Sequence, residues 1–290
     1  MNIEMAYMIG MILGNGEIQQ GATHTRISID IPYKNLYTDD MKDVAIYVKA
    51  SIVDIRNNIE PLIGHALTIS QNSHSTLMTF EKPNSEYIIS EILRLVGSGR
   101  HHSTMEMSNE LFQITTDEKK SLLRGIADVT AYIRKSNIAY GQEGAHRVYI
   151  EVPGNWHMVI AIANMLKDVD IPVQTIDFGH PNFRDGKLNK YNEGNHNFWK
   201  KEHQIKIFAN EFLPIGFNIR HKQDALEKYS NELIQYIDPV TTHKFYWQKS
   251  QRLSTKPYHP GENDPDLPGN IRGHHFNSWQ ELAGFLGYGE

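Results

Sequence analysis

Tyr7-Met8-Ile9-Gly10-Met11-Ile12-Leu13-Gly14-Asn15-Gly16-Glu17-Ile18 decides how this chain is built, because a second, degenerate copy stands at Leu122-Leu123-Arg124-Gly125-Ile126-Ala127-Asp128-Val129-Thr130-Ala131-Tyr132-Ile133. Each copy reads as a short apolar helix with a glycine, Gly10 or Gly125, where two helices could approach closely. Each ends in small or polar residues that turn the chain towards a strand. Internal repetition at such long spacing argues for two similar half-units, not for a solenoid of short repeats.

The residues around each copy carry the same order of elements. After the first, Thr23-His24-Thr25-Arg26-Ile27-Ser28-Ile29-Asp30-Ile31 alternates polar and apolar side chains, the pattern of a half-buried strand, with His24 and Arg26 on its polar face. Residues Thr38 to Ile59 predict a helix, with Met41, Val44, Val48, Ile52 and Ile55 at three- and four-residue steps. Leu67 to Phe80 reads as a strand pair around a polar turn at residues 71–74, and Tyr87 to Val96 as a helix ended by Gly97-Ser98-Gly99. In the second half Thr116 is the expected N-cap, with Lys119 where a capping-box acid would stand. Arg134 and Lys135 follow the second motif, Arg147 to Val152 alternates as a strand, and Trp156 to Leu166 forms an amphipathic helix. Val173 to Phe208 then gives a strand, a long polar insertion and a strand from Gln204; residues 210–218 lead to a helix from Gln223 to Tyr236. An αββαββα order appears twice. It predicts a mixed α/β (α+β) fold with halves at residues 1–115 and 116–240 and a C-terminal extension at 241–290.

A chain of 290 residues with 40% apolar side chains supports one large domain or two fused smaller ones. Without cysteine, neither a disulfide framework nor a Cys zinc site is available. The N-terminus has no basic run, and the apolar stretch after it is broken by Gly10, Gly14 and Asn15, so no signal peptide or membrane span is expected. The net charge of −5 opposes nucleic-acid binding at first sight, since phosphate contacts need Lys or Arg. Distribution matters more than the sum. Acids gather in expected helices (Asp39, Asp40, Asp43; Glu86, Glu91), whereas Arg184 to Lys206 holds six bases against three acids, and Thr241 to Pro260 four bases and no acid.

The two motif segments resemble the LAGLIDADG motif of homing endonucleases, and the resemblance extends over roughly residues 5 to 235. It implies two motif helices packed across a pseudo-twofold axis and a saddle of strands in the major groove of duplex DNA. It also implies an acid at each helix C-terminus that holds divalent metal over the scissile phosphates. Position by position, Gly10 and Gly125 match the first glycine of the motif, and Gly16 the last, which Ala131 replaces in the second copy. Asn15 and Thr130 fall where the two acids belong. A site that clamps attacking and leaving oxygens needs anionic ligands for a hard cation such as Mg2+; Asn and Thr offer neutral oxygens only. The expectation is therefore sequence-specific recognition of double-stranded DNA with metal-dependent cleavage lost. One alternative is an active site-specific endonuclease, homing or restriction type, whose Mg2+ is held by Glu17, Asp128 or acids elsewhere in the chain in place of the missing ones. The other is a structural or protein-binding descendant without DNA affinity.

Candidate DNA contacts come from Arg184, Lys187, Asn189, Lys190, Lys200 and Lys201 in the polar insertion, which as a long β-hairpin would suit the major groove. An ordinary solvated hairpin is the other reading. His24, Arg26, Arg134, Lys135 and Lys206 join them, as do Lys249 and Arg252 in the aromatic-basic run from Phe245. The pairs His101-His102 and His274-His275 invite a metal reading, but adjacent side chains diverge on regular structure and no His-x-x-x-His helix with a flanking Glu is present. After a linker from Pro257 to Pro268, Ser278 and Glu281 frame a short helix, either the start of an appended module or a docking tail. The chain is expected to act as a monomer, because both halves share it, in the cytoplasm or on the nucleoid.

Overall fold

The fold is that of a computed structural model, which describes residues 1–33, 44–135, 146–173, 175–177 and 203–231, together with the strand residues 270–271 and 274–275. Its centre is a pair of helices, α1 (Ile3–Asn15) and α4 (Thr116–Thr130), which are the two motif segments. Asn2 caps α1, its side chain accepting from Met5 N at 2.8 Å. From Met5 to Leu13 every residue of α1 is buried, the signature of a helix enclosed on all sides. For α4 the cap is Thr115, one residue earlier than the expected Thr116. That shift puts Glu118 at the third helical position, where its carboxylate accepts from Thr115 N at 2.8 Å and completes a capping box.

The helices touch backbone to backbone through their glycines. A methyl group built on Gly10 would lie 2.1 Å from the Leu122 carbonyl oxygen, and one on Gly125 2.2 Å from the Tyr7 carbonyl oxygen. Tyr7 and Leu122 are equivalent residues of the two motif copies, so the contact is made twice with the roles exchanged.

Each helix runs directly into an antiparallel four-stranded sheet. The first contains β1 (Gly16–Gln20), β2 (His24–Pro32), β3 (Thr68–Gln71) and β4 (Ser75–Pro83) in the order β1-β2-β4-β3. The second contains β5 (Ala131–Lys135), β6 (His146–Val152), β7 (Thr175–Asp177) and β8 (His203–Phe208) in the order β5-β6-β8-β7. The topology is thus repeated strand for strand: an α+β chain of two pseudo-symmetric units. In the first unit α2 (Val44–Ile63) and α3 (Tyr87–Leu95) complete the helical layer; in the second, α5 (Trp156–Asp168), a short α6 (Ala209–Phe212) and α7 (Arg220–Ser230) do so. One apolar core runs through both units, from Ile27, Ile29 and Ile31 across Met8, Ile12 and Leu123 to Val148 and Ile205.

Several boundaries differ from the sequence expectation. α2 continues through Pro61 to Ile63, and the anticipated residues 38–43 lie outside the described residues. α7 begins at Arg220, three residues ahead of Gln223, because Asp128 and Ser51 receive the backbone N–H groups at its start; its expected end lies beyond the described residues. α3 does end at a glycine, with Gly97 at φ 73°. Of the C-terminal extension, only β9 (Asn270–Ile271) and β10 (His274–His275), paired antiparallel, are described.

Candidate functional site

The C-termini of α1 and α4 emerge side by side: a methyl built on Gly14 would touch Val129 Cγ2 at 2.6 Å and Thr130 Cγ2 at 3.2 Å. Asn15 and Thr130 are the last residues of these helices. Neither is turned to a common centre by its hydrogen bonds. Asn15 Nδ2 donates to the Asp30 carbonyl at 2.8 Å, tying the helix end to β2. Thr130 Oγ1 donates to the Ile126 carbonyl at 2.7 Å, a bond back into its own helix.

Asp128 is fully buried. Its Oδ2 accepts from Tyr7 Oη at 2.7 Å and from Asn218 N at 3.0 Å, and its Oδ1 accepts from Ile219 N at 3.2 Å. The carboxylate therefore joins α1, α4 and the start of α7. Burial raises its pKa, while the Lys222 ammonium, Tyr7 and the two amides pull it down; the Tyr7 hydroxyl is pushed well up by burial and then by Asp128. Glu17 is different. It is exposed on β1, where it accepts from Gln19 Nε2 at 3.2 Å. Among Asn15, Thr130, Asp128 and Glu17, only Glu17 presents a carboxylate to solvent.

The free edge of β1 is covered by residues 100–102: Ile18 N donates to Arg100 O at 2.7 Å, His102 N to Gly16 O at 2.9 Å, and Glu17 bridges His101. Because this segment leaves the bridge in a turn and not in regular structure, the two histidine rings do not diverge as expected. They meet with centroids 3.9 Å apart, tilted by 38°. Burial, and next the His101 neighbour, lower the His102 pKa to about 4, so this ring is neutral at neutral pH. Among the described residues no group of three His, Asp or Glu side chains is arranged to hold a metal ion.

The outward faces of the two sheets are unlike. Alternation places Glu17 and Gln19 of β1, His24, Arg26, Ser28 and Asp30 of β2, and Thr79 and Glu81 of β4 away from the first core. One base against three acids gives that face a charge of 1 − 3 = −2. Arg26 is moreover paired with Glu81 at 2.9 Å. His24 is exposed, beside Thr23 Oγ1 at 3.0 Å. In the second sheet the corresponding residues include Tyr132, Arg134, Arg147, Tyr149, Lys206 and Phe208. Tyr132 and Tyr149 stack at 5.2 Å, Lys206 Nζ lies 5.6 Å from the Tyr149 ring centre, and the Arg147 guanidinium lies 5.4 Å from that of Phe208. Arg147, Tyr149, Lys206 and Phe208 are buried, Arg134 is half-buried and Lys135 exposed. Arg184, Lys187, Asn189, Lys190, Lys200, Lys201, Lys249 and Arg252 lie outside the described residues.

Residue-by-residue reading missed Tyr7 and Lys222. Lys222 carried a signal: together with Ala225, Leu226 and Tyr229 it forms the three- and four-step stripe of α7 that faces inward. Asp128 likewise occupies the place that Leu13 holds in the first copy.

No protein-family model matches this chain, and no curated protein does. Solved structures do. One of the homing endonuclease I-DmoI in complex with DNA and Mn is 10% identical over 80% of this chain and 99% of its own, with a TM-score of 0.38. One of I-DmoI with DNA and Ca covers 79% and 100% at 10% identity and a TM-score of 0.42. The N-terminal LAGLIDADG domain of DUF199/WhiA covers 82% and 85% at 12% identity and 0.38, and full-length DUF199/WhiA from Thermatoga maritima covers 86% and 67% at 12% and 0.37.

Proposed function

We propose that this chain recognises double-stranded DNA and does not cut it at its helix ends. The observation that carries the reading is the exchanged glycine contact: Gly10 against the Leu122 carbonyl and Gly125 against the Tyr7 carbonyl set two like-ordered sheets about one pseudo-twofold axis. A duplex site has the same approximate symmetry, so each sheet meets one half-site. Base edges are read by the Gln, Arg, Ser and Thr side chains that alternate outward on β1, β2 and β4. Phosphate contacts fall to Lys135 and to the basic insertion at 184–201.

Absence of cleavage follows from the donor set. Hard divalent cations are held by carboxylates and other oxygen acceptors, and the two helix ends offer a carboxamide bonded to β2 and a hydroxyl bonded to its own helix. The carboxylate of Asp128 already accepts three hydrogen bonds. These residues do not fit a metal pair.

The charge of −2 on the first outward face favours a second reading, a protein-binding descendant with no duplex affinity. Selection from a randomised duplex library at low salt, followed by a salt titration, separates the two. DNA recognition enriches one family of sites whose binding weakens log-linearly as salt rises; if no duplex is enriched, the second reading replaces it. Cutting of the enriched site by the wild-type chain in Mg2+ or Mn2+ would overturn the non-cutting half of the proposal, with Glu17 the first residue to change. Gain of cutting by the Asn15→Asp/Thr130→Asp double variant supports it.

A further inference from the structure

α7 carries one lysine into the protein interior. Lys222 is fully buried, and its Nζ donates to Ala127 O at 3.1 Å, Asp128 O at 2.9 Å and Ala131 O. Two of these carbonyls belong to the last turn of α4, where Ala127 O also accepts from Ala131 N, and the third to the residue after it; the last turn of a helix is where carbonyls run short of intrahelical donors. An ammonium has three N–H donors and no lone pair, so three acceptors satisfy it completely; a neutral amine would turn its lone pair towards one of the carbonyls. The neighbouring Asp128 carboxylate shows the complementary pattern, meeting donors from Tyr7, Asn218 and Ile219. The Phe217 ring closes another side, its centre 5.3 Å from Nζ. Negative potential at the helix end and the carboxylate together offset part of the cost of burying the charge. Burial pulls the Lys222 pKa down to about 7, and the Asp128 charge resists that pull.

We propose that the C-terminus of the second motif helix is a cation site which the chain fills with its own ammonium, and that it accepts a primary alkylammonium ion from solution once the lysine side chain is cut back. The recognition chemistry is that of three convergent carbonyls, which need N–H donors, beside one carboxylate, which needs positive charge. The inference is independent of the DNA reading, since it concerns the charge that holds α4 to α7 and not what the sheets contact.

The test is denaturant unfolding of the full-length Lys222→Ala chain at pH 6, alone, with n-propylammonium, and with tetramethylammonium at equal ionic strength. Leaving the carboxylate unpaired lowers the folded-to-unfolded ratio by at least about a hundredfold. Propylammonium restores it saturably, by about tenfold or more when present well above its dissociation constant. Tetramethylammonium, with charge but no N–H, does not. Equal recovery with both ions, no recovery with either, or a variant as stable as wild type overturns the proposal. If Lys222→Ala does not fold at all, Lys222→Met is compared with Lys222→Met/Asp128→Asn. The double variant is the more stable when a cation is required there to balance the carboxylate, and a double variant no more stable than the single overturns the proposal.

Discussion

Replacing Gly125 with alanine perturbs the central helix pair at one atom. The new methyl would stand 2.2 Å from the Tyr7 carbonyl oxygen and 3.0 Å from Met11 N, both backbone atoms that cannot swing aside. An ordinary contact begins near 3.4 Å, so the helices must part by about 1.2 Å (3.4 − 2.2). In an isolated helix the same change would stabilise by about 1 kcal/mol. Against that, forcing a methyl into a packed interface costs typically about 1–3 kcal/mol and more where backbone must move. Separation also stretches the 2.7 Å bond from the hydroxyl of Tyr7 itself to Asp128, which stands one turn beyond Gly125 on α4. The expected net loss is about 1–3 kcal/mol, read by circular dichroism in guanidinium chloride as a lower midpoint with an unchanged slope. Gly10→Ala makes the pseudo-twofold-related clash at 2.1 Å and loses a similar amount. Because one parting of the helices relieves both clashes, the double variant costs less than the sum of the singles, by about 0.5 kcal/mol or more. A Gly125→Ala chain as stable as wild type, or a strictly additive double variant, would refute the close-contact reasoning.

Other outcomes follow from single bonds. Tyr7→Phe leaves one oxygen of Asp128 short of a donor and destabilises by about 1.5–3 kcal/mol, measured in the same unfolding assay. Thr115→Ala removes the hydroxyl that accepts from Glu118 N, leaves the backbone N–H of residue 115 on the Glu118 carboxylate, and costs about 1 kcal/mol, whereas Thr116→Ala, outside the cap, changes stability little. His203 is fully buried and burial lowers its pKa to about 4, as burial does for His102. A base whose folded pKa is depressed binds fewer protons folded than unfolded, so its contribution is present above the unfolded value of about 6.5 and is lost as pH falls towards 4. Stability should therefore drop between those values, and His203→Gln should flatten the drop in an acid titration of the unfolding midpoint. By the same sign rule, the depressed Lys222 makes stability rise with pH from about 7 towards the unfolded lysine value, and Lys222→Met removes that rise.

Much of this arrangement was legible in the sequence because it rests on repetition and period. Gly10 and Gly125 are recognisable since only close backbone approach calls for glycine inside so apolar a helix, and the strands at Thr23 to Ile31 and Arg147 to Val152 are recognisable by their alternation. What sequence could not give was partnership at long range. Thr116 and Thr115 are equally good caps until the reach of Glu118 decides between them. The meeting of His101 with His102 depends on a bridge to Glu17 far back in the chain, and the start of α7 on Ser51 in another unit, whose hydroxyl takes Arg220 N at 2.9 Å. Charge on the sheet faces was half legible: Arg26 was visible as an outward residue, but its pairing with Glu81 required the register of β2 against β4. Lys206 alternates outward as expected, yet it is buried over Tyr149.

The enclosure of α1 has a consequence for how the molecule comes apart. A helix buried from Met5 to Leu13 has no surface it can show to water, and much of what encloses it belongs to the other unit. Losing either unit would strip the other of its centre, exposing a column of Met, Ile and Leu side chains. The two units therefore cannot melt in turn. Heat or denaturant should take the whole assembly in one transition, with calorimetric and van't Hoff enthalpies in agreement, despite a repeat that on paper divides it into two.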